Sequence, residues 1–456
     1  MSAPARLSPP DASIGALLRL AWPLFIANLA VVGNATIDAI MAGRLSPDDL
    51  AGVAVASSIY VTIYIGFMAV LQSLSPIAGH HYGAQRWRAI GDDLQQALWL
   101  AGLLLFFALP CVLATGFWAR VAGIEGRVAE ITTTYLHAVA FGLPAGLATR
   151  VFVALNAAVS RPKVTMAVNV TVLALKAPLN AVFMYGWGPI DAMGGAGAGV
   201  ATALLAWLAL ALSLAFWRLD GYYERFRSTA IHGPRWTNLR ELLRLGLPIG
   251  LSTLFEVTSF TFMAVLIARL GATSVAGHQI VANLVAILFM VPLSLGIATS
   301  VLVAQALGSN APRVAHGAAR RGLRLALGIA LVVALLFWLL RGPLVRLYTS
   351  DPGVEAMALS LLGFAVLFHV FDAVQGMSTF ILRGYRQTFW PMVIYGVALW
   401  GFGLGGGAWI AFNATAVGAP RGALGFWEAA TAALAIAAAA LSWLAHTEAK
   451  RRVVER

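Results

Sequence analysis

The stretch Leu17-Leu18-Arg19-Leu20-Ala21-Trp22-Pro23 returns 225 positions later as Leu242-Leu243-Arg244-Leu245-Gly246-Leu247-Pro248. At the same shift, without a gap, Arg44 and Leu45 fall on Arg269 and Leu270, Ala51 and Gly52 on Ala276 and Gly277, and Gly83 on Gly308. The chain is thus a duplication of one unit.

The repeated unit is a membrane unit. Of 456 residues, 60% are hydrophobic and 11% charged, against about a quarter charged in soluble domains; the mean hydropathy is +0.81. Apolar stretches centre on residues 15–43, 51–80, 92–119, 131–158, 163–186, 197–217, 242–268, 275–306, 322–341, 356–382, 389–412 and 424–445, each near or above the roughly 20 residues a helix needs to cross. Twelve spans, six per half, are expected, with no outer-membrane barrel pattern. The first stretch follows a polar segment, Met1 to Ser13, and carries Asp38, so it reads as a retained helix and not a signal peptide.

Charge placement gives the topology. The net charge is +12, but the two termini and the even-numbered loops hold 22 of the Lys and Arg residues and the odd-numbered loops 7. By the positive-inside rule both termini and the 218–241 segment are cytoplasmic, with anionic lipid as a secondary attraction and no nucleic acid as partner. Because each half has an even number of spans and starts on the same side, the repeat is parallel, with its pseudo-twofold along the membrane normal. The expected division is residues 1–217, a linker 218–241, and 242–456. Two such halves are a common way to build a transporter that alternates access to its two sides.

Other chemistries lack their residues. Cys111 is the single cysteine, which excludes an internal disulfide or thiolate cluster. No G-x-x-x-x-G-K-[ST], H-E-x-x-H or G-x-S-x-G pattern occurs, and the glycine run Gly194 to Gly199 lies between two spans without the strand a dinucleotide fold requires. Neither an enzyme nor a cofactor is expected, and an ion gradient is the remaining energy source.

Three of the nineteen acids lie well inside spans: Asp38, Glu256 and Asp372. Charge at membrane depth is costly, about 2.5–3.5 kcal/mol at the bilayer centre on insertion scales, and usually faces a cavity with a function. All three break the repeat, facing Met263, Val31 and Leu147 at the 225 shift. Each sits on a polar stripe: His369, Asp372, Gln375 and Thr379; Ser252, Glu256 and Ser259; Asn34 with Asp38. Such carboxyls suit exchange of a proton or binding of a hard monovalent cation. Two bases are also deep. Lys176 shares a face with Asn169 and Asn180 and is expected to pair with an acid, Asp38 being the candidate; Arg150 reads either as a partner of an acid or as a side chain reaching for an interface.

At these residues the sequence resembles the multidrug and toxic compound extrusion (MATE) family, in its bacterial NorM-like branch. The resemblance rests on A-T-I-D-A-I-M-A-G (35–43), L-F-E-V-T (254–258), F-D-A-V-Q (371–375) followed by L-R-G-Y (382–385), A-P-L-N ending at Asn180, and G-H-Q-I-V-A-N ending at Asn283. It implies two six-helix bundles in a V around a central cavity, and outward antiport of drug-like molecules, often cationic, against protons or sodium. It also implies Asp38 as the coupling carboxylate of the first lobe and Glu256 with Asp372 as a monovalent cation site in the second, supported by Asn34, Lys176, Asn180, Asn283, His369 and Gln375. Phe368 stands where relatives commonly have tyrosine and Lys176 where they commonly have asparagine, so protons are favoured over sodium. A monomer in a bacterial inner membrane is expected; the alternative function is a flippase for lipid-linked sugars or lipids.

Overall fold

The structure is a computed structural model and describes residues 10–227, 232–413 and 418–455; the first nine residues of the polar amino-terminal segment and four of the 218–241 linker lie outside them. Among the described residues, twelve helices are long and apolar enough to cross a membrane. They are α1 (Ile14–Gly43), α2 (Pro47–Gly83), α3 (Trp87–Leu113), α4 (Gly126–Ala158), α5 (Pro162–Tyr185), α6 (Gly194–Leu219), α7 (Trp236–Ala268), α8 (Ala272–Gly308), α9 (Pro312–Leu339), α10 (Pro352–Gly384), α11 (Phe389–Phe412) and α12 (Ala423–Val454). The fold is all-α, six spans in each half. Large apolar side chains point outward: Phe106 is 72% and Trp443 68% exposed, a surface suited to lipid.

Helix ends depart from the hydropathy limits where charge allows. α9 starts at Pro312, ten residues before its apolar stretch, and α12 runs on through Lys450, Arg451 and Arg452. Lys and Arg are good helix formers, so the backbone stays helical beyond the apolar segment. α11 is unusual: Gly396–Gly406 is wound as a π-helix, and its five glycines leave the wide turn little side-chain packing to hold it. At the start of α1, Ser13 Oγ accepts from Ala16 N at 3.1 Å, capping one free amide. The Ser13 amide donates to Asp11, which holds that exposed carboxyl below the usual carboxylate range.

The chain divides into two compact units: Trp22–Gly250, and Leu251–Arg456 together with the stretch ending at Ala21. That stretch is tied to the second unit by Arg321, whose Nε donates to Ala12 O at 2.7 Å. The linker is built into the first unit. Arg161 pairs with Asp220, Tyr222 donates to Val159 O at 2.8 Å and Tyr223 to Asn156 Oδ1 at 2.7 Å, and Gln96 donates to Gly233 O. Burial pushes the Tyr223 phenol up to about 12.

Each unit repeats the other's internal packing. In the first, α4 lies against α2 and α6; in the second, α10 lies against α8 and α12. Glycines at matching positions set these approaches. A Cβ on Gly52 of α2 would come within 2.7 Å of Ile131 on α4, and one on Gly277 of α8 within 2.6 Å of Met357 on α10. On the α4–α6 contact, a Cβ on Gly142 would meet Ala203 Cα at 2.7 Å. Small residues that let backbones approach are the usual seam between membrane helices.

Gly142→Val should therefore lower the unfolding temperature in detergent by several degrees, since overpacking against a backbone costs about 1–3 kcal/mol. Gly102→Val, at an exposed position with open space around it, should change it by less than a degree. Equal effects would remove the argument that the α4–α6 seam is set by Gly142.

Candidate functional site

In the first unit, α1 brings Asp38 to face α5. Asp38 Oδ1 lies 2.8 Å from Lys176 Nζ and accepts from Asn180 Nδ2 at 2.7 Å. Lys176 also donates to Thr202 Oγ1 on α6 at 2.6 Å, and is 3.5 Å from Ala198 O. An ammonium has three hydrogens, and here three acceptors surround it. All of this is inside: Asp38 is 6%, Lys176 2% and Asn180 0% exposed. Pro178, between Lys176 and Asn180, cannot donate to the carbonyl four residues back, so the helix is loosened where both side chains enter. Asn169 fixes α5 to α1 by donating to Ala27 O at 3.1 Å.

Beside this pair is a cavity of about 330 Å³, drug-sized by general measure. Asn34, Asp38, Asn169 and Lys176 line it with Ser57, Tyr60, Tyr64, Tyr135, Arg150 and Thr202. The Asn34 Oδ1 and Asn180 Oδ1 atoms are buried without a hydrogen-bond donor. Ser57, Tyr60 and Tyr64 share one face of α2 at helical spacing, and Tyr60 and Tyr64 stack with centroids 5.6 Å apart. That spacing is visible in the sequence, as is the run of polar groups; which helix the face meets is not.

In the second unit, Gln375 Nε2 donates to Asp372 Oδ1 at 3.0 Å on α10, with Asp372 5% exposed. Glu256 on α7 is within electrostatic reach of Asp372 and of Arg383, and Tyr395 on α11 is within reach of both acids. Thr379 donates to the Tyr395 hydroxyl at 3.4 Å. Gln375 Oε1 has no donor. Phe368 turns away from polar chemistry: it is 2% exposed and packs edge-on against Phe260 and Trp427, at 5.5 Å from each.

Two candidates lie apart from these clusters. His369 is buried but lines a void of about 10 Å³ among Val291, Leu295, Ala326 and other apolar residues of α8 and α9, with Nδ1 unpartnered. Asn283 is exposed and accepts from the Tyr348 hydroxyl at 2.9 Å. Residues that the sequence did not single out are Tyr60, Tyr64, Tyr135, Thr202, Tyr395 and the Phe260 and Trp427 rings that pack on Phe368.

The MatE family model matches residues 23–182 and 248–409, one match in each half of the duplication. The chain belongs to the MatE family. Similar proteins include the "Probable multidrug resistance protein NorM" of Aromatoleum aromaticum, 39% identical over 457 residues and covering 99% of both chains. The "Multidrug resistance protein NorM" of Vibrio vulnificus is 33% identical over 434 residues, 94% of each chain. Among solved structures, a MOP superfamily transporter from Pyrococcus furiosus superposes with a TM-score of 0.88 over 99% of both chains at 19% identity. An outward-facing multidrug resistance MATE family transporter superposes with 0.86 over 99% of both at 18%; at such identity they speak to the fold. The MatE chain is a multi-pass bacterial membrane protein of a transporter family.

The contact between Lys176 and Asp38 generates a prediction for this MatE protein. Removing one partner of a buried pair costs roughly 3–5 kcal/mol because the other charge is stranded. Lys176→Met should lower the unfolding temperature in detergent more than Lys176→Met combined with Asp38→Asn. Additive losses across the four proteins of the cycle would show that the two groups do not support one another.

Proposed function

We propose that this protein is a secondary active multidrug efflux antiporter of the bacterial inner membrane, with both termini in the cytoplasm, exporting amphipathic organic compounds by alternating access. It works as a monomer in lipid. Asp38 in the first unit and Glu256 with Asp372 in the second carry the coupling ion, each needing to gain and lose a positive partner during the cycle. Asn34, Asn180 and Gln375 supply unpartnered buried oxygens at those acids, and Lys176 is the resident cation of the first. The observation that carries the reading is the pairing of intramembrane acids with a drug-sized cavity, in a chain that resembles multidrug resistance proteins along almost its whole length.

The ion is a proton. The oxygens that would ligate sodium in the first unit, from Asp38, Thr202 and the Ala198 carbonyl, already surround Lys176 Nζ. In the second, the position of Phe368 brings a ring and no oxygen. Hard monovalent cations need several oxygen ligands, whereas a proton needs one carboxylate.

In vesicles reconstituted with the protein, an imposed pH gradient should drive transport of a fluorescent amphipathic dye, and a sodium gradient at equal pH should not. Glu256→Gln and Asp372→Asn, which keep volume but cannot carry charge, should each lower that transport by at least about tenfold, the effect of some 1.4 kcal/mol, with normal expression. Sodium-driven transport alone would overturn the choice of ion, and full activity in either variant would remove that acid from the coupling.

A further inference from the structure

The cavity of the first unit has a charge that its most buried acid hides. Three charged residues line it, Asp38, Arg150 and Lys176. Asp38 and Lys176 are in contact at 2.8 Å. Whether the shared proton sits on the amine or on the carboxyl, the pair sums to zero. What remains is the guanidinium of Arg150, which cannot be deprotonated in a protein. The cavity is therefore net positive, the reverse of what a site for organic cations requires.

Arg150 is held in place through its Nε, not by an acid. Its Nε donates to the Tyr64 hydroxyl at 3.1 Å, and that hydroxyl donates to Gly146 O, one turn earlier on α4, at 3.1 Å. Gly146 eases the ring's approach, since a Cβ there would lie a tight 3.3 Å from Tyr64. Among the described residues no carboxylate pairs with the guanidinium, and no hydrogen bond occupies its two terminal nitrogens. Those nitrogens form the planar fork that grips a carboxylate, phosphate or sulfonate through two parallel hydrogen bonds. Next to them the stacked Tyr60 and Tyr64 rings offer a flat wall for an aromatic body.

We propose that this cavity is a binding site for anionic amphipathic compounds, with the acid on Arg150 and the aromatic part against Tyr60 and Tyr64. The inference rests on the exporter reading and names its substrate class, in place of the cationic compounds expected from the family. Arg150 is a specificity residue here and takes no part in ion coupling.

The test uses purified full-length protein in a zwitterionic detergent and two probes that share one aromatic body, 1-naphthylacetate and its methyl ester, with binding measured by equilibrium dialysis. The wild type should bind the acid at least about tenfold more tightly than the ester, the scale of one charge-assisted hydrogen bond of at least 1.4 kcal/mol. Arg150→Gln should erase that preference with ester binding unchanged, and Arg150→Lys should restore part of it. Equal loss of acid and ester in Arg150→Gln would mean that Arg150 only shapes the cavity, and would overturn the proposal. Displacement of the acid by a few mole per cent of phosphatidylglycerol, but not phosphatidylcholine, would assign the site to a lipid headgroup and overturn it as well. Dye transport down a pH gradient with no acid preference in binding would sink this inference and leave the exporter reading standing; acid binding without transport of any compound would do the opposite.

Discussion

A lysine ammonium touching an aspartate inside a membrane bundle is the constraint on which the first unit's chemistry depends. Neither group would be stable there alone, because moving a lone charge out of water costs several kcal/mol even after relaxation. Together they are neutral, and Asn180, Thr202 and a backbone carbonyl satisfy the hydrogens and lone pairs that the pair leaves over. Three helices, α1, α5 and α6, are joined at one point as a result. In the proposed cycle, a change in the protonation of that pair would alter the packing of all three, the kind of two-state element that alternating access requires.

The two units resemble one another in packing and differ in charge. α4 and α10 are the hubs of their units, and Gly52 and Gly277 set equivalent close approaches. On that shared frame the first unit carries Asp38, Lys176 and Arg150, summing to a positive site, while the second gathers Glu256, Asp372 and Arg383, whose sum is negative only when both acids are ionised. Duplication supplied the scaffold, and substitution at positions that do not obey the repeat supplied two chemistries. In the proposed division of labour, the acids of the second unit exchange the positive ion and the positive cavity of the first recognises an acidic compound.

Much of the fold was legible in the sequence because a membrane span announces itself by length of apolar run, and because Leu17–Pro23 and Leu242–Pro248 align without a gap. The three deep acids were equally visible, since charge inside an apolar run has few innocent explanations. The partners were harder. Hydropathy does not say which helices adjoin, so Thr202, Tyr64 and Tyr135 could not be placed beside Asp38 or Arg150. Two candidates sit apart from the acids: His369 shares the spacing of Asp372 but turns toward the apolar faces of α8 and α9, and Asn283, drawn from a family motif, is exposed against Tyr348. A period of three or four residues gives a broad face, and His369 and Asp372 occupy different edges of it.

The most direct test of the account is the state of Lys176 itself. With three lysines in the chain, Lys163, Lys176 and Lys450, protein labelled with nitrogen-15 at lysine Nζ gives three side-chain signals that single substitutions assign. The account predicts that Asp38→Asn moves the Lys176 signal and its apparent titration while those of Lys163 and Lys450 stay where they are. A Lys176 resonance indifferent to Asp38→Asn would contradict the pairing, and with it the neutral cavity wall and the coupling derived from it.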